Sequence, residues 1–239
     1  MCIRDSFSIP REAARNGTAG RLITINGQAD SITELPAGQV VRVRVLNLDN
    51  TWTYCLNLKG NCEARIYALD GNPVTPRALD EYWLGPGMRI CLAIRIPEAG
   101  EEISLRDGFV RLGTLRSVAS NDAPSDWPPA LPPNPIAEPD LENAEKLNFN
   151  FEWAAGVSVT ADPAKPSSMW QINGQAWDIT DKTCADRPIA TLQKGKSYIF
   201  ELKNMTQYQH PIHLHGMSFK VIASNRHDIK EPWFTDTYL

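Results

Sequence analysis

The chain has 239 residues, enough for one large domain or for two of ordinary size. Its hydrophobic content of 42% and charged content of 22% are typical of a globular protein, and its net charge of −4 makes nucleic acid a poor partner. No apolar run reaches the length of a membrane span. The N-terminal stretch has no apolar segment of the secretory type.

The first six residues, MCIRDS, are excluded from the fold prediction. Back-translated, they resemble the end of a transposon adaptor used in library sequencing, so we interpret 1–6 as a sequencing or cloning scar. The natural start then lies upstream, and the missing signal peptide says nothing about export.

The cysteines form no CxxC pair. Buried thiols are the favoured interpretation, and a Cys55–Cys62 disulfide stays open.

Short runs of alternating apolar residues, separated by turn-forming residues, predict strands along the whole chain. The clearest runs are 41–45, 90–96, 147–151 and 198–202. No long amphipathic helix is predicted. The pattern indicates an all-β fold of the sandwich or barrel type.

A proline-rich stretch divides the chain. The segment APSDWPPALPPNPIAEP at 123–139 contains seven prolines, which exclude a helix or a central strand. We interpret 119–145 as a semi-rigid, extended linker. It separates one predicted domain at 7–118 from a second at 146–239.

The two predicted domains repeat each other. The sequence INGQA occurs at 25–29 and again at 172–176, and in each copy a glycine precedes an asparagine by nine residues, at 38–47 and at 195–204. Aligned on Gly60 and Gly216, LNLKG matches IHLHG. The apolar positions agree in both copies, while Asn57 and Lys59 stand where the second copy has His213 and His215. The histidines are therefore additions to a strand that folds without them.

The stretch HPIHLHG at 210–216 holds three of the chain's four histidines. On a regular strand His213 and His215 project from the same face, and His210 projects from the opposite one. Imidazole suits zinc, copper, iron and nickel, and the spacing alone does not choose among them. The fourth histidine, His227, lies in the polar run SNRHDIKE, which predicts a solvated loop.

HPIHLHG closely resembles the copper-binding motif of the multicopper oxidases, the laccase-like blue copper enzymes. The other runs that resemble this family are LPAGQVVRVRVLN (35–47), LDGNPV (69–74), LGPGMRICLAIRIP (84–97), MWQINGQAWD (169–178) and WFTDTYL (233–239). The resemblance implies two tandem cupredoxin-like Greek-key β-sandwich domains. The domain at 7–118 corresponds to the family's copper-free second domain, and 146–239 corresponds to most of its third, copper-binding domain.

By this resemblance His210 matches a type 1 copper ligand, His213 a type 2 ligand and His215 a type 3 ligand. In the family a small reducing substrate, a phenol or a metal ion, delivers electrons singly to type 1 copper. A trinuclear cluster then reduces dioxygen to water. No membrane span or nucleic acid is expected, the family implies a periplasmic or extracellular location, and the oligomeric state stays open.

The family uses eight cluster histidines and a His-Cys-His motif, and this chain has four histidines and no cysteine after His210. We therefore expect a fragment of the parent oxidase that is inactive by itself. The first alternative is a non-enzymatic two-domain copper-binding protein, for which Met205 and Met217 are near His210 but no cysteine is. The second is a β-sandwich binding module with incidental histidines.

Overall fold

A computed structural model describes residues 22–153, 170–176 and 186–239 of the chain. Over these residues it contains seventeen β-strands and no α-helix, which confirms the all-β prediction. None of the described segments is a helix with the length and apolarity needed to cross a membrane. The scar assigned to 1–6, together with Cys2 and Cys184, lies outside the described residues.

The described residues form two compact units. The larger unit contains residues 22–136 and 211–239, and the smaller unit contains the described residues between 137 and 210.

The first nine strands of the larger unit form two sheets. The five-stranded sheet has the order β1-β9-β8-β3-β6, with β1 Ile32–Pro36, β3 Tyr54–Lys59, β6 Tyr82–Leu84, β8 Glu102–Asp107 and β9 Val110–Val118. The four-stranded sheet has the order β2-β7-β4-β5, with β2 Val40–Leu46, β4 Glu63–Leu69, β5 Asn72–Ala78 and β7 Arg89–Arg95. Leu56 and Ile103 of the first sheet share one buried cluster with Leu92 of the second, so the two sheets enclose a single core.

Strand β7 is buried on both of its faces. Ile90, Leu92 and Ile94 point into the core between the sheets, while Cys91 and Ala93 belong to a second buried cluster on the outer face. This explains why its sequence, RICLAIR, is a nearly continuous apolar run instead of a strict alternation.

The proline-rich segment covers that outer face. It has no helix or strand, as predicted, but it is held along the four-stranded sheet and not free in solvent. Trp127 lies 4.1 Å from the Arg65 guanidinium and 5.0 Å from that of Arg95, and Tyr67 donates a 2.7 Å hydrogen bond to the carbonyl of Pro128. We call residues 123–136 the strap.

The smaller unit contains one four-stranded sheet of order β12-β11-β10-β13. Its strands are β10 Glu145–Trp153, β11 Trp170–Ile172, β12 Gln175–Ala176 and β13 Tyr198–Asn204. Strands β10 and β13 pair in parallel, and their aromatic residues on one face, among them Phe149 and Phe200, contact each other.

Four short strands complete the larger unit. They form two antiparallel pairs: β14 Ile212–His213 with β17 Thr237–Tyr238, and β15 Phe219–Val221 with β16 Trp233–Thr235. Trp233 and Leu239 pack against the core of the larger unit, which anchors these strands to it.

The internal repeat extends to backbone geometry. Asn26-Gly27 and Asn173-Gly174 both have positive φ angles, 53° and 79° in the first copy and 52° and 72° in the second, as a two-residue type I′ hairpin turn requires. Gly38 and Gly195 also match, with φ of 75° and 85° shortly before β2 and β13, which begin at Val40 and Tyr198. The landmarks recognised in the sequence therefore mark the same turns in both copies.

Candidate metal centre

The strand that carries the histidine motif is shorter than the sequence suggested. β14 contains only Ile212 and His213, and His215 lies in the turn that Gly216 continues with a φ of 86°. A regular strand through the whole motif is therefore wrong, because Pro211 has no amide hydrogen and the turn begins two residues after His213. The rings of His213 and His215 still lie together, with their centroids 5.8 Å apart.

The hydrogen bonds of His213 determine which ring nitrogen carries the hydrogen. Its Nδ1 lies 2.9 Å from the carbonyl oxygen of Asp236 and 3.1 Å from Thr237 Oγ1. A carbonyl can only accept, and the Thr237 hydroxyl donates its hydrogen to Asp236 Oδ1 at 2.8 Å. Nδ1 is therefore the protonated nitrogen of the neutral ring. Nε2 keeps its lone pair and can bind a metal ion.

The same reasoning gives the opposite result for His210. Thr206 Oγ1 lies 2.8 Å from His210 Nε2 and 2.7 Å from Asn204 Oδ1, which also accepts the Thr206 amide hydrogen. Because the amide group of Asn204 donates to the carbonyl of Tyr208, its Oδ1 is the acceptor that takes the Thr206 hydroxyl hydrogen. The hydroxyl oxygen then accepts from Nε2–H of His210. The unprotonated nitrogen of His210 is Nδ1.

Aromatic side chains surround the His210 ring. Phe151 stacks on it with centroids 6.0 Å apart, and Trp170 meets it edge-on at 5.0 Å. Tyr208 contacts Trp170 at 5.4 Å and extends this aromatic shell. Burial among these groups lowers the pKa of His210, so the imidazole stays neutral and able to bind a metal ion to more acidic pH than an exposed histidine does.

The asparagines of the repeat build equivalent loops. Asn47 Oδ1 accepts the amide hydrogen of Asp49, and its Nδ2 donates to the Trp52 carbonyl at 2.7 Å. Asn204 makes the same two kinds of bond, with Thr206 and with Tyr208 at 2.6 Å. The loop that leads to His210 is therefore held by the same two kinds of asparagine hydrogen bond as the equivalent loop of the first copy.

A charged cluster lies next to His213. Asp236 receives two hydrogen bonds from the guanidinium of Arg89, at 2.7 and 2.6 Å. This pairing lowers the pKa of Asp236 and raises that of Arg89. Asp70, on the other side of Arg89, is buried, and desolvation raises its pKa despite its hydrogen bonds.

The other candidate residues contribute no metal site. His227 is exposed, as the sequence predicted for a solvated loop, and Met205 and Met217 are 68% and 54% exposed. Cys55, Cys62 and Cys91 are free thiols. Over 22–153, 170–176 and 186–239, no three His, Cys, Asp or Glu side chains meet closely enough to hold one metal ion. The donor nitrogens suit copper or zinc, but the described residues supply only part of a ligand set.

Comparison with known proteins assigns this motif to a family. The family model described as Multicopper oxidase matches residues 158–238, which include the whole histidine motif. A solved multi-copper oxidase from Pseudomonas parafulva is 85% identical over 97% of the chain, with a TM-score of 0.85. The chain belongs to the multicopper oxidase family.

Two further relatives agree with this assignment. A multi-copper oxidase from Pseudomonas thermotolerans is 61% identical over 96% of the chain, with a TM-score of 0.86. The multicopper oxidase MmcO of Mycobacterium tuberculosis is 25% identical over 203 residues, which are 79% of this chain and 37% of that protein. The chain spans 54% and 53% of the two Pseudomonas structures, about half of their length. The match confirms the predicted resemblance and the cupredoxin-like fold.

Several residues around the multicopper oxidase motif were missed at the level of sequence. Thr206, Asp236 and Thr237 bind the motif histidines, yet none has a residue type or spacing that marks it. A signal was available for Asn204, because it is one of the landmarks of the internal repeat. The run WFTDTYL was recognised as resembling the family, but that resemblance assigned no role to its acidic residue, Asp236.

Proposed function

We propose that the chain is the part of a multicopper oxidase that contributes His210 to a type 1 copper, His213 to a type 2 copper and His215 to a type 3 copper. The observation that carries the proposal is the pair of opposite tautomers. His210 offers Nδ1 because Nε2 is bound to Thr206, and His213 offers Nε2 because Nδ1 is bound to Asp236 and Thr237. Metal-binding histidines characteristically fix their other nitrogen in this way.

The roles of the protein groups follow from these contacts. Copper, when bound, supplies a centre that changes its charge by one electron. The aromatic shell of His210 partly shields its ring from water, and Thr206 fixes the orientation of the ring. The rings of His213 and His215, 5.8 Å apart, offer donors to neighbouring ions.

The overall reaction is inferred from the family. Four one-electron oxidations of a small reducing substrate, a phenol or a metal ion, balance the reduction of one dioxygen to two waters with four protons. We propose a periplasmic or extracellular location, which is typical of bacterial members.

We propose that the chain contains two consecutive cupredoxin-like domains, at 7–118 and 146–239, joined by 119–145. Support comes from the matched turns of the repeat. In the first domain Asn57 and Lys59 occupy the positions of His213 and His215, so β3 offers no imidazole there. Asn57 instead donates hydrogen bonds to the carbonyls of Cys55 and Gly108.

Paramagnetic broadening tests the proposed ligands even if binding is weak. Substoichiometric Cu(II) is added to the 239-residue chain while the histidine ring signals are followed by NMR. We expect the signals of His210, His213 and His215 to broaden before that of His227, and His213→Gln to reduce the broadening at His215. Equal broadening at all four histidines would refute the assignment.

A further inference from the structure

Three sequence runs that received no role in the copper assignment meet beside His213. LDGNPV contributes Asp70, LGPGMRICLAIRIP contributes Arg89, and WFTDTYL contributes Asp236. Asp70 lies in the turn between β4 and β5, Arg89 opens β7, and Asp236 lies between β16 and β17. We call Asp70, Arg89 and Asp236 the clamp.

Arg89 is the centre of the clamp. Its two terminal nitrogens bind the two carboxylate oxygens of Asp236 at 2.7 and 2.6 Å, the fork-to-fork geometry that fixes direction as well as distance. The same guanidinium donates to the carbonyls of Asp70 at 2.9 Å and Gly87 at 3.1 Å. These four hydrogen bonds hold the guanidinium of Arg89 beside Asp236.

Asp70 attaches the clamp to the core of the larger unit. Its side chain is 1% exposed, and its Oδ1 accepts the backbone N–H of Arg89 at 2.7 Å. Its Oδ2 accepts the hydroxyl hydrogen of Thr235, which is itself fully buried. A buried carboxylate is tolerated only with such partners, so Asp70 holds both β7 and β16 in place.

The clamp controls the direction of one hydrogen bond. Asp236 Oδ1 accepts from Arg89 and also from the Thr237 hydroxyl, at 2.7 and 2.8 Å. Because that hydroxyl hydrogen is engaged, Thr237 can only accept from His213 Nδ1. We propose that Asp70, Arg89 and Asp236 are positioning residues that keep His213 in the Nδ1–H tautomer with Nε2 available to a metal ion.

This inference rests on the proposed function for its purpose, but the tautomer is measurable without metal. If the Asp236 carboxylate is removed, the Thr237 hydroxyl can rotate and donate to Nδ1, in competition with the backbone carbonyl of residue 236 that accepts from it. The population of the Nε2–H tautomer then rises, and in that tautomer Nε2 cannot bind a metal ion. If Thr237 loses its hydroxyl as well, only the acceptor carbonyl of residue 236 remains, and the Nδ1–H tautomer returns. A purely structural role for the clamp does not produce this reversal.

The test is an NMR measurement on the metal-free 239-residue chain labelled with ¹⁵N, at a pH where imidazole is neutral. Two-bond ¹H–¹⁵N correlations distinguish protonated from unprotonated ring nitrogens, and His213→Gln assigns the signals. We expect Nδ1–H in the wild type, a shift toward Nε2–H in Asp236→Ala, and recovery of Nδ1–H in Asp236→Ala/Thr237→Val. An unchanged tautomer in Asp236→Ala overturns the inference, and so does a double variant that resembles the single one.

Two additions keep the test decisive. Glu63→Ala, which breaks the exposed ion pair with Arg65, is the matched control and should leave His213 unchanged. If Asp236→Ala does not fold, Arg89→Lys replaces it. Arg89→Lys keeps a positive charge beside Asp70 but cannot bind both carboxylate oxygens of Asp236. It should therefore shift the His213 tautomer in the same direction as Asp236→Ala, by a smaller amount. No shift in Arg89→Lys then overturns the inference.

Metal affinity separates the two proposals. We expect Zn(II) binding, followed at the His213 signal, to weaken about tenfold or more in Asp236→Ala. If His213→Gln leaves Cu(II) and Zn(II) binding unchanged, the proposed copper role of His213 fails, while the tautomer shifts still decide the clamp.

Discussion

Replacing Trp127 by alanine tests whether the strap stabilises the larger unit. The half-buried indole contacts the outer cluster of the four-stranded sheet and lies against the guanidinium groups of Arg65 and Arg95. Full truncation of a core tryptophan costs about 3–5 kcal/mol, which half-burial reduces to about 2 kcal/mol. The two cation–π contacts add about 0.5 kcal/mol each. The expected loss in the free energy of unfolding is therefore about 3 kcal/mol.

Urea denaturation followed by circular dichroism measures this loss. With an m-value of about 2–3 kcal/mol/M, the midpoint of Trp127→Ala should fall by about 1 M or more. Trp127→Phe, which keeps an aromatic ring under the arginines, should lose less than half as much. Trp52→Ala is the control, because Trp52 lies off the strap, is 49% exposed and uses its ring nitrogen only for a 3.2 Å bond to Asp107. A midpoint for Trp127→Ala equal to the wild type would refute the stabilising role of the strap.

The remaining predictions concern activity, the repeated loops and one thiol. The purified chain with Cu(II) should not oxidise a phenolic dye above the rate of copper alone, because no three ligating side chains meet in the described residues; sustained oxygen consumption would contradict this. In urea titrations Asn47→Ala should lower the free energy of unfolding by about 2 kcal/mol, because it leaves buried polar groups without a hydrogen-bond partner. Asn204→Ala should lower it by less than about 1 kcal/mol. Equal losses in the two variants would show that burial does not set the difference. Burial and the Glu81 carboxylate raise the pKa of Cys55, so Glu81→Gln should move the midpoint of its alkylation pH profile to lower pH. A midpoint that stays the same in mass-spectrometric peptide mapping would exclude the carboxylate as a cause.

Local patterns predicted several of the strands and turns correctly, although not a strand through the histidine motif. The alternating runs at 41–45 and 147–151 lie within β2 and β10, and the run at 198–202 lies within β13. Each pattern depends on a side chain alternating between core and solvent, or on a glycine that allows a positive φ. Such signals are contained in a few consecutive residues, so the sequence displays them directly.

The contacts that hold the site depend on residues far apart in the chain. Arg89 and Asp236 are 147 residues apart, and no periodicity links them. The strap was predicted only as a linker, because proline content excludes regular structure but does not indicate which surface the segment will cover. Burial of β7 on both faces was the available clue, since Cys91 and Ala93 need a cover.

The parallel pairing of β1 with β9 has a consequence for how the protein folds during synthesis. Ile32 lies opposite Thr114, so β1 must wait for a partner that the ribosome makes about 80 residues later, a delay of about 4–16 s. During that interval β1 has no strand to pair with, and loop closure over such a distance slows the step further. Mutations that expose more apolar surface on β1 should therefore lower the yield of folded protein before they change the stability of the finished molecule.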